Sequence, residues 1–439
     1  MIEKTLDLSK FLLSVSSMNA LADPILSDHN YRVAYLSFLI AREITYNNEF
    51  LANVIIAGLL HDIGLFLFSS KEDIVMVKSP ELDEEGKRIH LHAELGYRLL
   101  KEFPFFSKAA LIIRHHHYSY EKFMKNRSKV PYSSQILHIA DRIDIFMSKR
   151  ASIEDNPFKE VLKTKDILKE YLLRISPKVV DRRLVELFID RFADKEALWY
   201  ELYSRECLLE SLQRFLSDFS QKLPFDAFFE LARIFAYLID FKSPFTATHS
   251  SGVSQTATTL ASLFKFSSQE LKLMRVAGLL HDVGKIAIPK EILEKPRRLD
   301  FEEMSVMKSH VYFSYKILSK LEVGREIVEW ASYHHETLDG RGYPFRLKAA
   351  ELPLGSRIMA VADVFAALKE DRPYKKGLSN EKALRIVKEL SEKNKLDKRV
   401  VNALIDNIGK VEASRKISQE KATSLYKSLR ETVNRFKAS

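Results

Sequence analysis

Two stretches of this chain are nearly the same. Ala57-Gly58-Leu59-Leu60-His61-Asp62-Ile63-Gly64 returns as Ala277-Gly278-Leu279-Leu280-His281-Asp282-Val283-Gly284, with seven of eight positions identical at an offset of 220 (277 − 57). The same offset carries His29 onto His249. With small shifts for insertions, His92 pairs with His310, His116 and His117 with His334 and His335, and Asp141 with Asp363. Behind these, SPKVVDRRLVELF from Ser176 resembles LDKRVVNALIDNI from Leu396. The period is too long for a solenoid unit, and 439 residues suit two domains. One domain duplicated in tandem is therefore expected, over residues 1–205 and 206–410, with a basic helix over 411–439. The stretch from Lys195 to Ser220 is charged and helical with no Gly/Ser linker, which predicts a rigid helical connection.

The spacing of apolar residues around these anchors is helical. Val33, Leu36, Leu39 and Ile40 make one stripe, and Arg357 to Phe365 reads as a buried helix carrying the Asp363 carboxylate. Glycine is scarce, 13 of 439, against roughly 7% in ordinary chains; a β-rich chain needs more for its turns. The class expected is all-α. The apolar run from Val54 to Phe68 is broken by His61 and Asp62 and is too short to span a bilayer. The N-terminus lacks the long apolar core of a secretory signal, and a lone cysteine, Cys207, can form no disulfide within the chain. A cytoplasmic protein without a transmembrane segment is expected. Net charge is +10, which suits a phosphorylated small molecule, nucleic acid or anionic lipid alike. No nucleic-acid-binding pattern is present, so no nucleic acid polymer is expected as partner. The tail carries Ile417, Leu425, Leu429, Val433 and Phe436 at helical spacing; docking on the domain or in a homodimer is expected before a membrane surface.

Histidine placement decides the chemistry. Of the 13 histidines, only five lie beyond His138, namely His249, His281, His310, His334 and His335, and each occupies a repeated position. A lone His on a helix is usually a packed or solvated side chain. Five recurring in a duplicated pattern, joined by Asp282 and Asp363, point to metal. Imidazole with carboxylate suits Fe, Mn, Zn, Co or Ni, where an oxygen-only set would suit Mg or Ca. Adjacent His281 and Asp282 project about 100° apart on a helix, so the imidazole can serve one ion while the carboxylate bridges to a second. Seven ligands exceed one tetrahedral ion and suit two ions sharing a carboxylate and a water. Such a pair acidifies and aligns the bridging water and neutralises phosphoryl charge. There is no GxSxG, and Cys207 lies outside the repeats. Phosphate-ester hydrolysis is the reaction expected.

His281-Asp282 with its flanking ligands resembles the HD superfamily of metal-dependent phosphohydrolases. The second copy is closer still. His334-His335-Glu336-Thr337-Leu338-Asp339-Gly340-Arg341-Gly342-Tyr343-Pro344 resembles the HHExxDGxGYP signature of the HD-GYP subfamily, accompanied by HDVGKIAIP from His281, MKSH ending at His310 and DRPYKK from Asp371. The resemblance covers roughly Pro224 to Asn407. It implies two tandem HD-type helical domains, the second of HD-GYP type, in a bacterial phosphodiesterase. The implied substrate is a cyclic dinucleotide, cyclic di-GMP or cyclic GMP-AMP, opened by a metal-bridging hydroxide. It also implies His249, His281, Asp282, His310, His334, His335 and Asp363 as ligands of two divalent ions, Fe or Mn before Zn, Co or Ni. Asp282 and Lys285 are the implied catalytic residues. Lys285, Tyr343, Arg372 and Lys375 are the implied substrate contacts. Two departures stand out. Phe245 occupies the position of a third-metal carboxylate, which favours two ions, and Gly252 replaces the Arg of HSxRVA, removing a salt bridge behind the site. A nucleotide phosphohydrolase of the wider superfamily and a cyclic-dinucleotide receptor without turnover stay open as alternatives.

The first copy keeps the ligands and loses the signature. His29, His61, Asp62, His92, His116, His117 and Asp141 form a possible second metal site. The lysine has become Leu65, HHHYSYEKFMKNRSKVP replaces the GYP loop, and nothing matches RPY. Three readings compete: a second phosphohydrolase for smaller phosphates such as the terminal phosphate of a linear dinucleotide, a metal-bound sensor, or a scaffold. Intact ligands argue against the last, because unpaired buried His and Asp are costly.

Overall fold

A computed structural model describes residues 6–7, 12, 28–67, 87–150, 157–218, 222–223, 225–242, 248–370 and 376–438. Helices dominate; the two-residue strands Leu6–Asp7 and Lys222–Leu223 form the only sheet among the described residues. Contacts divide the chain into two compact units, the first of Asp7–Lys222 with Thr432–Ser439 and the second of Leu223–Glu431 with Met1–Leu6.

The first unit is built on α1 (His29–Ile44), α2 (Asn48–Leu60), α3 (Lys87–Leu100), α4 (Ser107–His115) and α5 (Ser133–Ser148). The second repeats this set as α6 (His249–Leu263), α7 (Ser268–Leu280), α8 (Phe301–Lys320), α9 (Arg325–Ser332) and α10 (Leu354–Lys369), and continues into α11 (Ile408–Ala438), which belongs to it as far as Glu431. The neighbours are the same in both: α1 packs on α2 and α5 as α6 packs on α7 and α10, and α4 touches α2, α3 and α5 as α9 touches α7, α8 and α10. Local signals start the helices. Asn47 caps α2 by accepting from Phe50 N–H, and Ser267/Glu270 and Asp300/Glu303 form capping boxes at α7 and α8.

The repeated glycines have a steric cause. A Cβ on Gly64 would lie 2.0 Å from the His92 carbonyl oxygen, and one on Gly284 would lie 2.0 Å from that of His310. The 3₁₀ turns Ile63–Leu67 and Val283–Ala287 therefore pass directly against the helix that supplies the next ligand. The run Asn48–Leu67 is long and apolar enough to cross a membrane by composition, but 78% of its apolar window is buried inside the protein. It is the core helix that carries His61 and Asp62.

Two boundaries differ from those expected. The helix Arg205–Asp218 belongs to the first unit, because Phe215 packs on Phe38 (ring centroids 4.2 Å apart) and Tyr35 (5.6 Å) and Arg205 pairs with Asp28 at 2.8 Å. The division therefore falls at residue 223 and not at 206. The tail is also no separate appendage up to Glu431: Val411, Ala422 and Leu429 are buried and Ser414 Oγ lies 3.0 Å from Thr259 Oγ1, so this part of α11 is a component of the second unit. Ile417 does not join the buried stripe; it is 55% exposed. The side chains of Leu425 and Phe436 lie outside the described residues.

Candidate metal centre and its rim

Seven side chains from five places converge in the second unit. His249 opens α6, His281 and Asp282 follow α7, His310 lies on α8, His334 and His335 follow α9, and Asp363 lies on α10. The donor atoms of His249, His281 and Asp363 lie within 4.8 Å of one another, as do those of His281, Asp282 and His334 and those of His310, His334 and His335. Asp282 faces both sides. Its Oδ2 is 3.2 Å from His281 Nε2 and 3.6 Å from His249 Nε2, while Oδ1 is 3.3 Å from His310 Nε2. Asp363 Oδ1 lies 3.3 Å from His249 Nε2, and Asp363 Oδ2 lies 3.9 Å from His335 Nδ1.

The rings are aimed by the backbone behind them. Nδ1 of His281 donates to Gly278 O at 2.8 Å, that of His310 to Met307 O at 2.5 Å, and that of His334 to Ala331 O at 2.6 Å. Each Nε2 is thereby left as the lone-pair atom pointing inward. Nε2 of His281, His310 and His334 and Oδ1 of Asp282 are buried and make no aligned hydrogen bond, although opposite-charge atoms crowd within 4.0 Å. Buried donors and acceptors without aligned partners are costly, and divalent cations would satisfy all of them together. The donor set fits a transition-metal pair.

The electrostatics agree. Burial would raise the Asp282 carboxyl, but His281 and Lys285 hold it well below its ordinary range. Burial, with nearby imidazoles adding to it, lowers His116 and His335 to about 4 and pushes His117 and His334 well below their usual value. Such rings stay neutral, as ligation requires. Stripped of metal, the folded chain binds no proton on these rings between about 6.5 and about 4 while the unfolded chain does. Stability should therefore fall as pH drops from about 7 to about 5, by at least ~2 kcal/mol. Burial works against a proton on His249 too, yet Glu370 and Asp363 hold it well above its ordinary value; its stabilisation is full below about 6.5 and is lost as pH rises from there. Asp240, raised by burial to about 7, offsets part of the loss from the four rings as pH falls. Urea midpoints of the metal-free protein at the two pH values check this, and equal midpoints would contradict it.

The signature loop forms the rim. Buried Glu336 accepts the backbone N–H groups of Phe345, Arg346 and Leu347 at 2.7, 3.1 and 3.0 Å, pinning the chain after Tyr343-Pro344. Gly342 passes so close that a Cβ would lie 2.5 Å from the Glu336 Cα. The half-buried Tyr343 ring packs on His335, 4.9 Å between centroids, with Lys308 over it. Lys285 Nζ contacts Asp282 Oδ2. Arg372, Lys375 and Phe245 lie outside the described residues.

The first unit assembles its own cluster in nearly the same shape. His29 Nε2 is 3.3 Å from Asp141 Oδ1 and 3.6 Å from Asp62 Oδ2, the two distances seen for His249 with Asp363 and Asp282. His92 Nε2 lies 3.5 Å from Asp62 Oδ1, and His92, His116 and His117 converge. His61 and His116 are anchored through Nδ1 to Gly58 O and Ile113 O, at 2.8 and 2.6 Å. His90 and His115 turn away and pack on Tyr118. At the rim the two units part. Leu65 is buried where Lys285 stands, and the helix Tyr120–Asn126 replaces the loop, tied down by N–H groups of Tyr120 and Glu121 on the carbonyls of Val179 and Lys178.

Sequence reasoning missed four supporting groups. Asp144 receives His29 Nδ1–H at 2.6 Å, and Glu370 receives His249 Nδ1–H at 2.8 Å. His138, fully buried, donates through Nδ1 to the His116 carbonyl, its ring 6.4 Å from that of His117. Asp240 accepts from Ser250 Oγ at 2.8 Å, and burial pushes its carboxyl up to about 7. The first copy carries the residues of the Asp144 support in two separate segments, HNYRVA from His29 and ADRID from Ala140.

Known proteins share both the motif and the tandem order. HD domain profiles match residues 26–145 and 233–400. The 3′3′-cGAMP-specific phosphodiesterase 1 of Vibrio cholerae is 28% identical over 387 residues, 87% of this chain and 87% of the relative. The 3′3′-cGAMP-specific phosphodiesterase 3 of the same organism is 38% identical over 37% of this chain and 36% of its own length. The cyclic di-GMP phosphodiesterase response regulator RpfG of Xanthomonas campestris is 39% identical over 39% of this chain and 45% of its own. The crystal structure of the V. cholerae cyclic GMP-AMP phosphodiesterase V-cGAP3 superposes with a TM-score of 0.61 over 92% of this chain and 98% of that one, at 21% identity, and so shares the fold. With profiles matching in both units and the HHExxDGxGYP signature folded onto the second cluster, the chain belongs to the HD superfamily of phosphohydrolases, as a tandem of an HD domain and an HD-GYP domain.

Proposed function

We propose that the second unit hydrolyses a phosphodiester bond of a cyclic dinucleotide. The observation that carries this is the convergence of seven metal-type donors beneath a rim made by Lys285 and the Tyr343 loop. The relative aligned over 87% of both chains is named for 3′3′-cGAMP, which makes that the first substrate to test, with cyclic di-GMP second. His249, His281 and Asp363 would hold one divalent ion and His310, His334 and His335 the other, with Asp282 between them; Fe or Mn is favoured, with Zn, Co or Ni compatible. Ions held there supply Lewis acidity toward phosphoryl oxygens and a water of low pKa.

The chain's own residues orient the rest. Asp282 holds the Lys285 ammonium at the site, where it neutralises charge as the ester breaks. Burial raises the Tyr343 hydroxyl well above its ordinary value, so it remains a neutral hydrogen-bond donor on the wall. Arg372 and Lys375 would grip the substrate phosphates. The water oxygen bonds to phosphorus, the bond to the 3′-oxygen breaks and that oxygen takes a proton, giving a linear dinucleotide with a 5′-phosphate. In the first unit the cluster is complete but lacks the lysine and the signature loop, which suits a smaller terminal phosphate.

Chromatography of products after incubating Mn²⁺-loaded protein with each cyclic dinucleotide tests the reading. The linear 5′-phosphorylated product supports it. Turnover of mononucleotides alone would assign a general nucleotide phosphohydrolase, and binding without product a receptor. Lys285→Ala should keep its metal yet slow turnover on the order of 10²-fold; metal content and kcat, measured together, separate that role from ligation.

A further inference from the structure

The two copies hold their first histidine in different ways. In the first unit, His29 Nδ1–H meets Asp144, and Arg32 donates to both oxygens of that carboxylate. Arg32 lies three residues after His29, and Asp144 three after Asp141. The matching places in the second unit are Gly252 (249 + 3) and Ala366 (363 + 3). Both halves of the ion pair are absent together. A carboxylate nevertheless stands behind His249. It comes from Glu370, at the C-terminal end of α10, one helical turn beyond Ala366, with Oε2 2.8 Å from Nδ1.

The other oxygen, Glu370 Oε1, accepts from Gln419 Nε2 of α11 at 3.2 Å. Gln419 also donates to Thr248 O at 3.3 Å, the residue before the ligand. Its own Oε1 accepts from Arg415 at 2.6 Å, and Arg415 is held by both oxygens of Glu412 at 2.9 Å. Glu412, Arg415 and Gln419 recur at i, i+3 and i+7, on one face of α11. Gln419 fills the space above Gly252: a Cβ on Gly252 would lie 2.8 Å from its Nε2. The missing arginine has made room for a side chain from elsewhere in the unit.

We propose that Glu370 and Gln419 together replace the Arg32–Asp144 pair of the first unit, so that α11 acts as a brace orienting His249 toward its metal. This rests on the reading of His249 as a ligand. Both are positioning residues: a carboxylate on Nδ1–H fixes the tautomer, turns the ring and raises the basicity of Nε2, and losing such a partner typically costs about 10- to 100-fold in metal affinity.

The test is Mn²⁺ binding to the full chain carrying His61→Ala and Asp62→Ala, which confines metal to the second unit, with free Mn²⁺ read by electron paramagnetic resonance. Glu370→Gln should weaken binding about 10- to 100-fold, with a melting curve of the metal-free form checking that the variant is still folded at the assay temperature. Gln419→Ala should weaken it less. Transplanting the first unit's solution, Gly252→Arg with Ala366→Asp and Gln419→Ala, should restore affinity in the Glu370→Gln background. If the parent binds no Mn²⁺, the ligand reading itself fails. If the parent binds and Glu370→Gln binds equally well, the brace is refuted while the ligand reading stands. Weakened binding that the transplanted pair leaves unrescued would also overturn the equivalence.

Discussion

Asp282→Ala should empty the second unit of metal and lower cyclic dinucleotide hydrolysis by at least about 10³-fold, more than any single histidine variant of the same cluster. The reason is its position between the two halves. Oδ2 faces His281 and His249, Oδ1 faces His310, and His334 lies 4.0 Å from the same oxygen. No other side chain of the seven presents separate oxygens to both halves at such short range. His310→Ala removes one imidazole from one half, so it should retain the ion that His249, His281 and Asp363 would hold. Asp282→Ala also removes the carboxylate that fixes Lys285. Elemental analysis of the two variants side by side decides the matter: equal metal content would remove the bridging role.

What could be read from the sequence, and what could not, follows the range of the constraint. Gly64 and Gly284 sit 2.0 Å (as a notional Cβ) from a neighbouring backbone, so no other residue fits, and the AGLLHDxG octet survives in both copies. Ligand positions are legible for a similar reason: the histidines and aspartates have one job, and duplication displays each twice. Glu370 is different. In FAALKEDRPYKK it looks like one solvated charge among several, and only the end of α10 turns it behind His249. Gln419 was still less visible, lying 170 residues beyond the ligand it supports (419 − 249) in a helix whose charge pattern suggests a surface. The domain boundary slipped past residue 205 because Phe215 docks on Tyr35 and Phe38, a long-range aromatic contact that charge and linker composition do not register. His138 was passed over because the second copy has Ala360 at that place, so the repeat offered no partner to flag it.

The first unit should prove to be a working site for a different phosphate. Its histidine–aspartate distances match those of the second unit to within a few tenths of an ångström. His61 Nε2 is 3.8 Å from Asp141 Oδ1, as His281 Nε2 is from Asp363 Oδ1, and His117 Nδ1 is 4.0 Å from Asp141 Oδ2, against 3.9 Å for His335 and Asp363. Six of its seven donor side chains are buried and His117 is half-buried; keeping them in that register without a metal would be costly, which argues against a scaffold. The rim, however, offers little to a cyclic dinucleotide. Buried Leu65 replaces the lysine, and the helix Tyr120–Asn126 takes the place of the tyrosine loop. A terminal phosphate monoester asks less of a rim, and the linear product proposed for the second unit carries one. His61→Ala combined with Asp62→Ala should therefore lower total metal below that of wild type while leaving ring opening intact. Product should accumulate as the 5′-phosphorylated linear dinucleotide, where wild type goes on to release inorganic phosphate. Phosphate release and metal content identical to wild type would reject a catalytic first unit. Loss of metal with unchanged phosphate release would assign it a sensing or structural ion instead, because the cluster would then bind metal without turning over the linear product.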